Sequence, residues 1–156
     1  MAAPRPLYNL PKLIANPQAL VIVGEGEKTA DAIEILFPRC VATTSPGGGN
    51  APGFTDWTPL SGRHVLIWPD FDQPGISYAA RVAYYAHQVG ALSVRLVDFP
   101  WWGLPRELDG AWRLIPRDAP VPDGYDADDA AKEGWTPELA RTLLPEHARL
   151  ITVMSV

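Results

Sequence analysis

The chain has a single cysteine, Cys40, and no long apolar run. One cysteine cannot form a disulfide within the chain, which favours a reducing compartment. No apolar stretch approaches the roughly 20 residues that a membrane-spanning helix needs. The amino-terminal segment also lacks the apolar core of a signal peptide. We therefore expect a cytoplasmic protein with no membrane segment.

Basic side chains are scarce as well. The 13 lysines and arginines stand against 18 aspartates and glutamates, which gives a net charge of −5. This balance argues against a broad basic face that grips nucleic acid. A metal-dependent nucleic-acid site stays open, because clustered carboxylates lower the net charge locally. The 156 residues, 47% of them apolar, suit one domain with one core.

Short β-branched runs alternate with amphipathic runs along most of the chain. Strands are predicted at "ALVIVG", "CVATTS", "HVLIWPD" and "LSVRLVDF", and helices at "EKTADAIEILF" and "PGISYAARVAYYAHQVG". This alternation predicts an α/β fold with a mainly parallel, Rossmann-like sheet of about four strands and helices on both faces. Residues 1–18 hold four prolines and predict an extended lead-in to a single domain over residues 19–150.

Residues 100–124 break this alternation and are interpreted as an insertion. Prolines and charges surround three tryptophans there: Trp101, Trp102 and Trp112. Three arginines lie among them: Arg106, Arg113 and Arg117. The tryptophans either cover the core or stack on single-stranded bases. After this segment, "DADDAAKEGW" predicts a short helix and "TPELARTLL" a closing helix.

The loop in "VIVGEGEKTADA" looks like a phosphate-binding loop but fails that pattern. Ile22 and Glu27 stand where a P-loop needs glycine, and Thr29 stands where a dinucleotide fingerprint needs its third glycine. Glu25 also counts against both, since a carboxylate repels phosphate unless a cation intervenes. Two interpretations stay open: the glutamates complement the positive end of the following helix, or they belong to a site together with Lys28.

Acidic residues also follow other predicted strands. Asp70 and Asp72 come just after the third strand, as Glu25 follows the first. The carboxyl ends of parallel strands meet at one edge of a sheet, where ligands bind. A third acidic cluster lies in "YDADD": Asp126, Asp128 and Asp129. Carboxylate oxygens of this kind select Mg²⁺ or Mn²⁺.

Four stretches together resemble a known family. In order and spacing, "EGEKTADA", "TTSPGGG", "IWPDFDQPG" and "GYDADDAAKEGW" are similar to the motifs of the Toprim domain. The similarity is greatest to bacterial replicative primases and to phage or plasmid primase-helicases, and it covers residues 20–144. It implies a compact Toprim fold, Mg²⁺ or Mn²⁺ as cofactor, and phosphodiester chemistry on a single-stranded DNA template with NTPs.

The resemblance also implies roles for individual residues. Glu25 matches the family glutamate, a general acid/base or metal ligand, and Lys28 is a catalytic candidate that screens charge beside it. Four aspartates match the family's metal ligands: Asp70, Asp72, Asp126 and Asp128. Three residues are candidates for nucleic-acid or nucleotide contacts: Gly48, Gly49 and Arg81. Arg81 is the candidate substitute for the basic residue that primases often carry directly after the glycine matched by Gly75, where this chain has Ile76.

Three functions follow as hypotheses. The first is the primase-type nucleotidyltransferase half of a replication enzyme of a phage or mobile element, working with a helicase or other primase domains. The second is a free-standing Toprim nuclease, and the third is a non-catalytic module that docks a helicase. The full acid set favours the first two, and the primase-like motifs favour the first. One cysteine cannot supply the zinc module of family primases, so the chain alone is not expected to synthesise primers.

Overall fold

The computed structural model describes residues 3–97, 104–108, 110–115, 121–138, 140 and 148–150. Its strands are Val21–Val23 (β1), Val41–Thr43 (β2), His64–Ile67 (β3), Ser93–Val97 (β4), Leu104–Leu108 (β5), Ala111–Ile115 (β6) and Ala148–Leu150 (β7). Its α-helices are Leu10–Ala15 (α1), Glu27–Leu36 (α2), Gln73–Gln88 (α3) and Ala127–Lys132 (α4). None of the helices in these ranges is long and apolar enough to cross a membrane.

The main sheet has the strand order β2-β1-β3-β4-β7. The first four of these strands are parallel, with Val21 opposite both Val41 and Val65. This confirms the predicted α/β, Rossmann-like fold with a mainly parallel sheet. The fifth strand, β7, runs antiparallel to β4 and was not expected from the sequence.

Helices cover both faces of the sheet, as predicted. On one face, Ile22, Ala42 and Leu66 pack in a cluster with residues of α2 and α4. On the other face, Val21 and Val65 pack with residues of α1 and α3. The buried positions of the parallel strands are apolar except for Thr43, because helices cover most of both faces of the sheet.

The extended lead-in predicted for residues 1–18 is wrong in one respect, because α1 forms within it. Pro11 stands in the first turn of α1, where the missing N–H costs no hydrogen bond. Leu13 is fully buried beneath the sheet, and the Arg63 guanidinium donates to the carbonyls of Leu13 and Asn16. Burial and this buried cation stabilise a helix that is too short to persist alone.

The segment interpreted as an insertion contains the antiparallel hairpin β5–β6, which forms a sheet of its own. Trp101 and Trp102 lie outside the described residues, as does Arg117. The choice between packing and stacking for these tryptophans stays a prediction. The short helix predicted in "DADDAAKEGW" is α4, whereas the closing helix predicted in "TPELARTLL" falls mostly outside the described residues.

Candidate functional site

Glu25 and Asp70 meet at one edge of the main sheet. They follow the carboxyl ends of β1 and β3, which are neighbouring parallel strands. The pairing continues past β3, where the Trp68 N–H donates to the Val23 carbonyl at 2.8 Å. The Glu25 carboxylate therefore lies against the backbone and the side chain of Asp70. The sequence argument placed both acids at this edge, and the structure brings them together.

Both of these carboxylates are partly buried and incompletely hydrogen-bonded. Glu25 Oε2 and Asp70 Oδ1 are closed to solvent and accept no hydrogen bond from any residue that the structure describes. Burial raises the pKa of Asp70 to about 7, with further contributions from the charges of Glu25, Asp126 and Asp72. Burial also raises the pKa of Glu25, followed by the charge of Asp72, while contacts with Asp70 oppose that rise. The pair is thus poised to share a proton or to accept a cation.

Asp72 has a structural role beside this pair. Its Oδ1 accepts the Gly75 N–H at 2.6 Å and so caps the amino end of α3. The turn is closed by the Asp72 N–H, which donates to the Asp70 carbonyl at 2.9 Å. A Cβ atom on Gly75 would lie 2.1 Å from that same carbonyl oxygen. Glycine is therefore required at position 75 for the two aspartates to take these positions.

A backbone bridge places the third acidic cluster, Asp126, Asp128 and Asp129, beside the turn of Asp70. The Phe71 N–H donates to the Tyr125 carbonyl at 2.9 Å, and the Gly124 N–H donates to the Phe71 carbonyl at 2.8 Å. Asp126 follows directly and is close enough for its charge to raise the pKa of Asp70. Backbone hydrogen bonds between Phe71 and residues 124–125 therefore hold Asp126 near Asp70.

Asp126 and Asp128 differ in their surroundings. Asp126 caps α4 through a reciprocal capping box with Asp129 and accepts a hydrogen bond from the Thr29 hydroxyl at 2.9 Å. Asp128 is paired with Lys132 at 2.5 Å and with Lys28 at 2.8 Å. These two lysines hold the pKa of Asp128 below its usual range.

Lys28 itself is not in contact with Glu25 or Asp70 through any described hydrogen bond or ion pair. Its side chain is 75% exposed, and its pairing with Asp128 raises its pKa. Lys28 therefore joins α2 to α4 and neutralises an acid of the third cluster. A catalytic role for Lys28 stays a prediction. The charge that Lys28 screens is that of Asp128.

The glycine-rich loop after β2 covers Glu25. A Cβ atom on Gly49 would lie only 2.8 Å from Glu25 Oε1, so this glycine lets the loop approach the carboxylate. Gly48 has a φ of +70°, which favours glycine there too. Arg81 of α3 donates to the Gly49 carbonyl. The structure therefore gathers the three residues proposed to contact nucleic acid or nucleotide on one side of Glu25.

Sequence reasoning missed the residue that holds this loop, Tyr78. Its buried hydroxyl lies 3.0 Å from Ser45 Oγ and 3.2 Å from Thr44 Oγ1, and Ser45 Oγ in turn donates to the Gly48 carbonyl. The polar end of "CVATTS" is a weak signal for such a network. Nothing in the sequence pairs it with a tyrosine 33 positions later.

The donor chemistry of the acid pair fits a hard divalent cation, since each carboxylate has one buried oxygen without a hydrogen-bond partner among the described residues. Across the described part of the chain, however, no group of three or more Asp, Glu, His or Cys side chains is arranged to hold a metal ion. The Asp128 carboxylate is engaged by lysines, and Asp126 by its cap and Thr29. The acids that best fit a cation are thus Glu25 and Asp70, to which Asp72 can add only Oδ2, because its Oδ1 caps α3.

Comparison of the chain with protein-family models, with curated proteins and with solved structures finds no match. The chemistry of the site is therefore interpreted from its own geometry.

Proposed function

We propose that the chain is a Toprim-type catalytic domain for metal-dependent phosphodiester chemistry on nucleic acid, most closely of the primase-type nucleotidyltransferase kind. The motifs that resemble this family all lie around the acid edge of the sheet: the loop of Glu25, the loop of Gly48, the turn of Asp70 and the amino end of α4. A helicase or other primase domains are proposed as partners, because a net charge of −5 argues against a broad basic face for a template.

One observation carries the proposal: Glu25 and Asp70 lie together, half-buried, each with a carboxylate oxygen that has no hydrogen-bond partner in the described part of the chain. Such an arrangement is costly in a protein without a ligand, since like charges that lose water repel each other more strongly. Functional sites are where such costs are retained. Capping of helix ends, the alternative explanation of the acids, accounts for Asp72 and Asp126 but not for this pair.

Asp70, Asp72 and Glu25 are proposed to hold Mg²⁺ or Mn²⁺. The cation would supply stabilisation of negative charge on the phosphate oxygens of the substrate. Glu25, whose pKa is raised mainly by burial, is proposed to carry a proton to or from the reacting hydroxyl. The Gly49 loop shields this carboxylate from water on one side.

The test uses two neighbouring glutamates that differ in environment. Glu25→Gln should lower activity by about 10²- to 10⁴-fold, the usual contribution of a positioned acid or base. Glu27→Gln is the matched control, because Glu27 is exposed in the first turn of α2 and should keep most of the activity. The assay incubates the chain, alone and with a partner helicase or primase domain, with labelled single-stranded DNA, NTPs and Mn²⁺, and follows both extension and cleavage.

The outcomes separate the alternatives. Extension that depends on Glu25 supports the nucleotidyltransferase, whereas cleavage that depends on Glu25 identifies the nuclease. Full activity in both variants would mean that this loop only supports the fold, whereas an equal loss in both would mean that the catalytic glutamate is wrongly assigned. No reaction of either kind under any of these conditions favours the docking module.

A further inference from the structure

The glycine-rich loop after β2 has a short span that is fixed at both of its ends. Before the span, Ser45 is 1% exposed and its backbone N–H donates to the buried Tyr78 hydroxyl at 3.3 Å. After the span, Pro52 is buried and its carbonyl accepts the Trp57 indole N–H at 2.8 Å. We call residues 46–50, between these two fixed ends, the Gly49 span.

The Gly49 span makes few contacts of its own. Three of its residues are glycines, and two of them, Gly47 and Gly48, have a positive φ, at +94° and +70°. Their lack of side chains means that movement of the span exposes little apolar surface. The Gly48 N–H donates to the Ser45 carbonyl at 3.2 Å, and the Ala51 N–H donates to the Gly48 carbonyl at 3.1 Å. These two bonds join the span to its fixed ends, so opening of the span would break both.

Arg81 of α3 holds the span in place from outside the loop. Among the hydrogen bonds of the described residues, only the one from Arg81 to the Gly49 carbonyl joins the span to a helix or strand of the fold. Arg81 is exposed, so water competes for this bond. The charge of Arg81 also lowers the pKa of Glu25, which places the guanidinium near that carboxylate. Arg81 therefore favours the arrangement in which the span lies over Glu25.

This arrangement restricts access to the acid pair. A Cβ atom on Gly49 would lie 2.8 Å from Glu25 Oε1, so the span lies directly against one carboxylate oxygen. The other oxygen, Glu25 Oε2, is closed to solvent, as is Asp70 Oδ1. A hydrated divalent cation gives up its waters reluctantly and cannot reach these oxygens while they are covered. A covering segment must move first, and the Gly49 span is one that can move at low cost.

We propose that the Gly49 span is a lid over Glu25, that Arg81 holds this lid closed, and that its opening exposes the acid pair to a ligand. The glycines supply the backbone freedom, and the buried ends at Ser45 and Pro52 stay in place. Arg81 is a positioning residue, because it acts on the lid through the Gly49 carbonyl. This inference rests on the proposed function, since it describes how the same acid pair is reached, but its first test needs no metal.

The first experiment measures amide hydrogen exchange of the full chain by NMR, in buffer with a chelator. Arg81→Ala should speed exchange at Gly48 and Ala51 about tenfold, the usual effect of one lost hydrogen bond to a charged group. The Ser45 amide, at a fixed end, should keep its protection, as should the amides of β1. Arg39→Ala removes the same charge from an exposed position before β2 and should leave all of these rates unchanged.

A second variant opens the lid without removing a charge. Gly49→Ala places a methyl group against the Glu25 carboxylate and should also speed exchange at Gly48, because the span can no longer lie over that oxygen. Gly26→Ala is the matched control in the loop of Glu25 itself, since a Cβ atom there meets nothing within 4 Å. It should leave exchange at Gly48 unchanged.

The second experiment follows the association of Mn²⁺ by stopped-flow quenching of tryptophan fluorescence, since Trp68 lies two positions from Asp70. Association should be about tenfold faster in Arg81→Ala than in wild type, because a larger fraction of the molecules is open. This gain should persist at high salt, whereas simple repulsion between Arg81 and Mn²⁺ would be screened there. Arg39→Ala should associate at the wild-type rate.

Each outcome supports or overturns the lid. Unchanged exchange in Arg81→Ala or in Gly49→Ala would overturn it, and a gain in Mn²⁺ association that disappears at high salt would assign only repulsion to Arg81. Mn²⁺ association that is equally fast in wild type and Arg81→Ala removes the inference and leaves the proposed function. Faster exchange in both variants of a protein that binds no Mn²⁺ supports the lid and removes the proposed metal site.

Discussion

At the scale of single residues, Asp70 has the most strongly perturbed environment among the described acids. Its pKa rises from an ordinary 3.8 to about 7, mainly because the carboxyl is buried and then because of the charges of four other acids, Glu25, Asp126, Asp72 and Asp129. A carboxyl whose pKa is raised in the folded state binds its proton more tightly there than in the unfolded chain. Ionisation of Asp70 therefore costs stability as the pH rises from about 4 to about 7, and the whole cost is present above pH 7.

Asp70→Asn should remove this cost. In buffer with a chelator, the variant should exceed wild type in free energy of unfolding by about 1 to 2 kcal/mol at pH 8, after a discount for the partial exposure of the carboxyl. The two proteins should converge near pH 4. Urea denaturation across this pH range measures the difference. Asp123→Asn, at an exposed acid, should follow the wild-type curve, and a flat difference between wild type and Asp70→Asn would contradict the prediction.

Gly75 gives a second prediction at this scale, in which two effects oppose each other. Helix propensity alone predicts that Gly75→Ala stabilises α3 by about 1 kcal/mol. The added methyl would lie 2.1 Å from the Asp70 carbonyl oxygen, which belongs to the backbone and cannot rotate away. We expect the clash to dominate, with a net loss of about 1 to 3 kcal/mol in thermal or urea denaturation.

The control for this variant is Ser77→Ala, an exposed position on the same helix that should be neutral or slightly stabilising. A stabilised Gly75→Ala protein would show that the Asp70 turn is free to move.

At the scale of elements, α3 organises the site. It is capped by Asp72, holds the glycine-rich loop through Tyr78 and Arg81, and packs against the sheet through its buried face. The short helix α4 depends on its cap instead, because six residues make too few internal hydrogen bonds for independent stability.

The acids of α4 should differ in what they contribute to stability. Asp126→Ala removes a capping box and the partner of the buried Thr29 hydroxyl, and should cost about 1 to 2 kcal/mol without metal. Asp128→Ala removes pairs with two exposed lysines and should cost less than about 1 kcal/mol, with a smaller loss at high salt. Thermal denaturation in chelator measures both, and equal costs would show that the α4 cap is unimportant.

The Asp128→Ala variant also tests the resemblance when Mn²⁺ is added. If the metal still stabilises Asp128→Ala as much as wild type, Asp128 is not a ligand, and its lysine pairs are its role. If Mn²⁺ no longer stabilises Asp128→Ala, Asp128 is a ligand. Lys28 and Lys132 must then release its carboxylate when the metal binds.

At the scale of the whole molecule, the acids gathered at one edge of the sheet repel one another, and a bound cation should relieve this repulsion. Mn²⁺ at about 100 times its dissociation constant should stabilise the wild type by roughly 2.7 kcal/mol. The double variant Asp70→Asn/Asp72→Asn should lose this gain. Its fold should persist, because asparagine still caps α3. Thermal denaturation with and without Mn²⁺ measures the gain.

A matched double variant, Glu27→Gln/Asp123→Asn, neutralises two exposed acids and should retain the full response to Mn²⁺. Equal Mn²⁺ binding by wild type and Asp70→Asn/Asp72→Asn in titration calorimetry would refute the assigned metal site.

The strands and helices of the parallel sheet were determined by sequence, because β-branched runs such as Val21–Val23 and Val41–Thr43 have few alternatives to a buried strand. Local rules also located α3 between Pro74, in its first turn, and Gly90, which has a φ of +85°. These local rules did not predict helix α1. Its stability comes from the burial of Leu13 and from Arg63, which lies 50 positions from Leu13 along the chain. Strand β7 likewise depends on an edge of the sheet that only the assembled fold provides.

For the candidate site, the sequence by itself determined that Glu25 and Asp70 share an edge of the sheet, because parallel strands end on the same side. Only the tertiary structure decided which acids are poised for chemistry. The bridge from Phe71 to Tyr125 brings Asp126 near Asp70, while Lys28 and Lys132 engage Asp128. Burial and long-range contacts set the charge state of a carboxylate, and neither can be read from its neighbours in sequence.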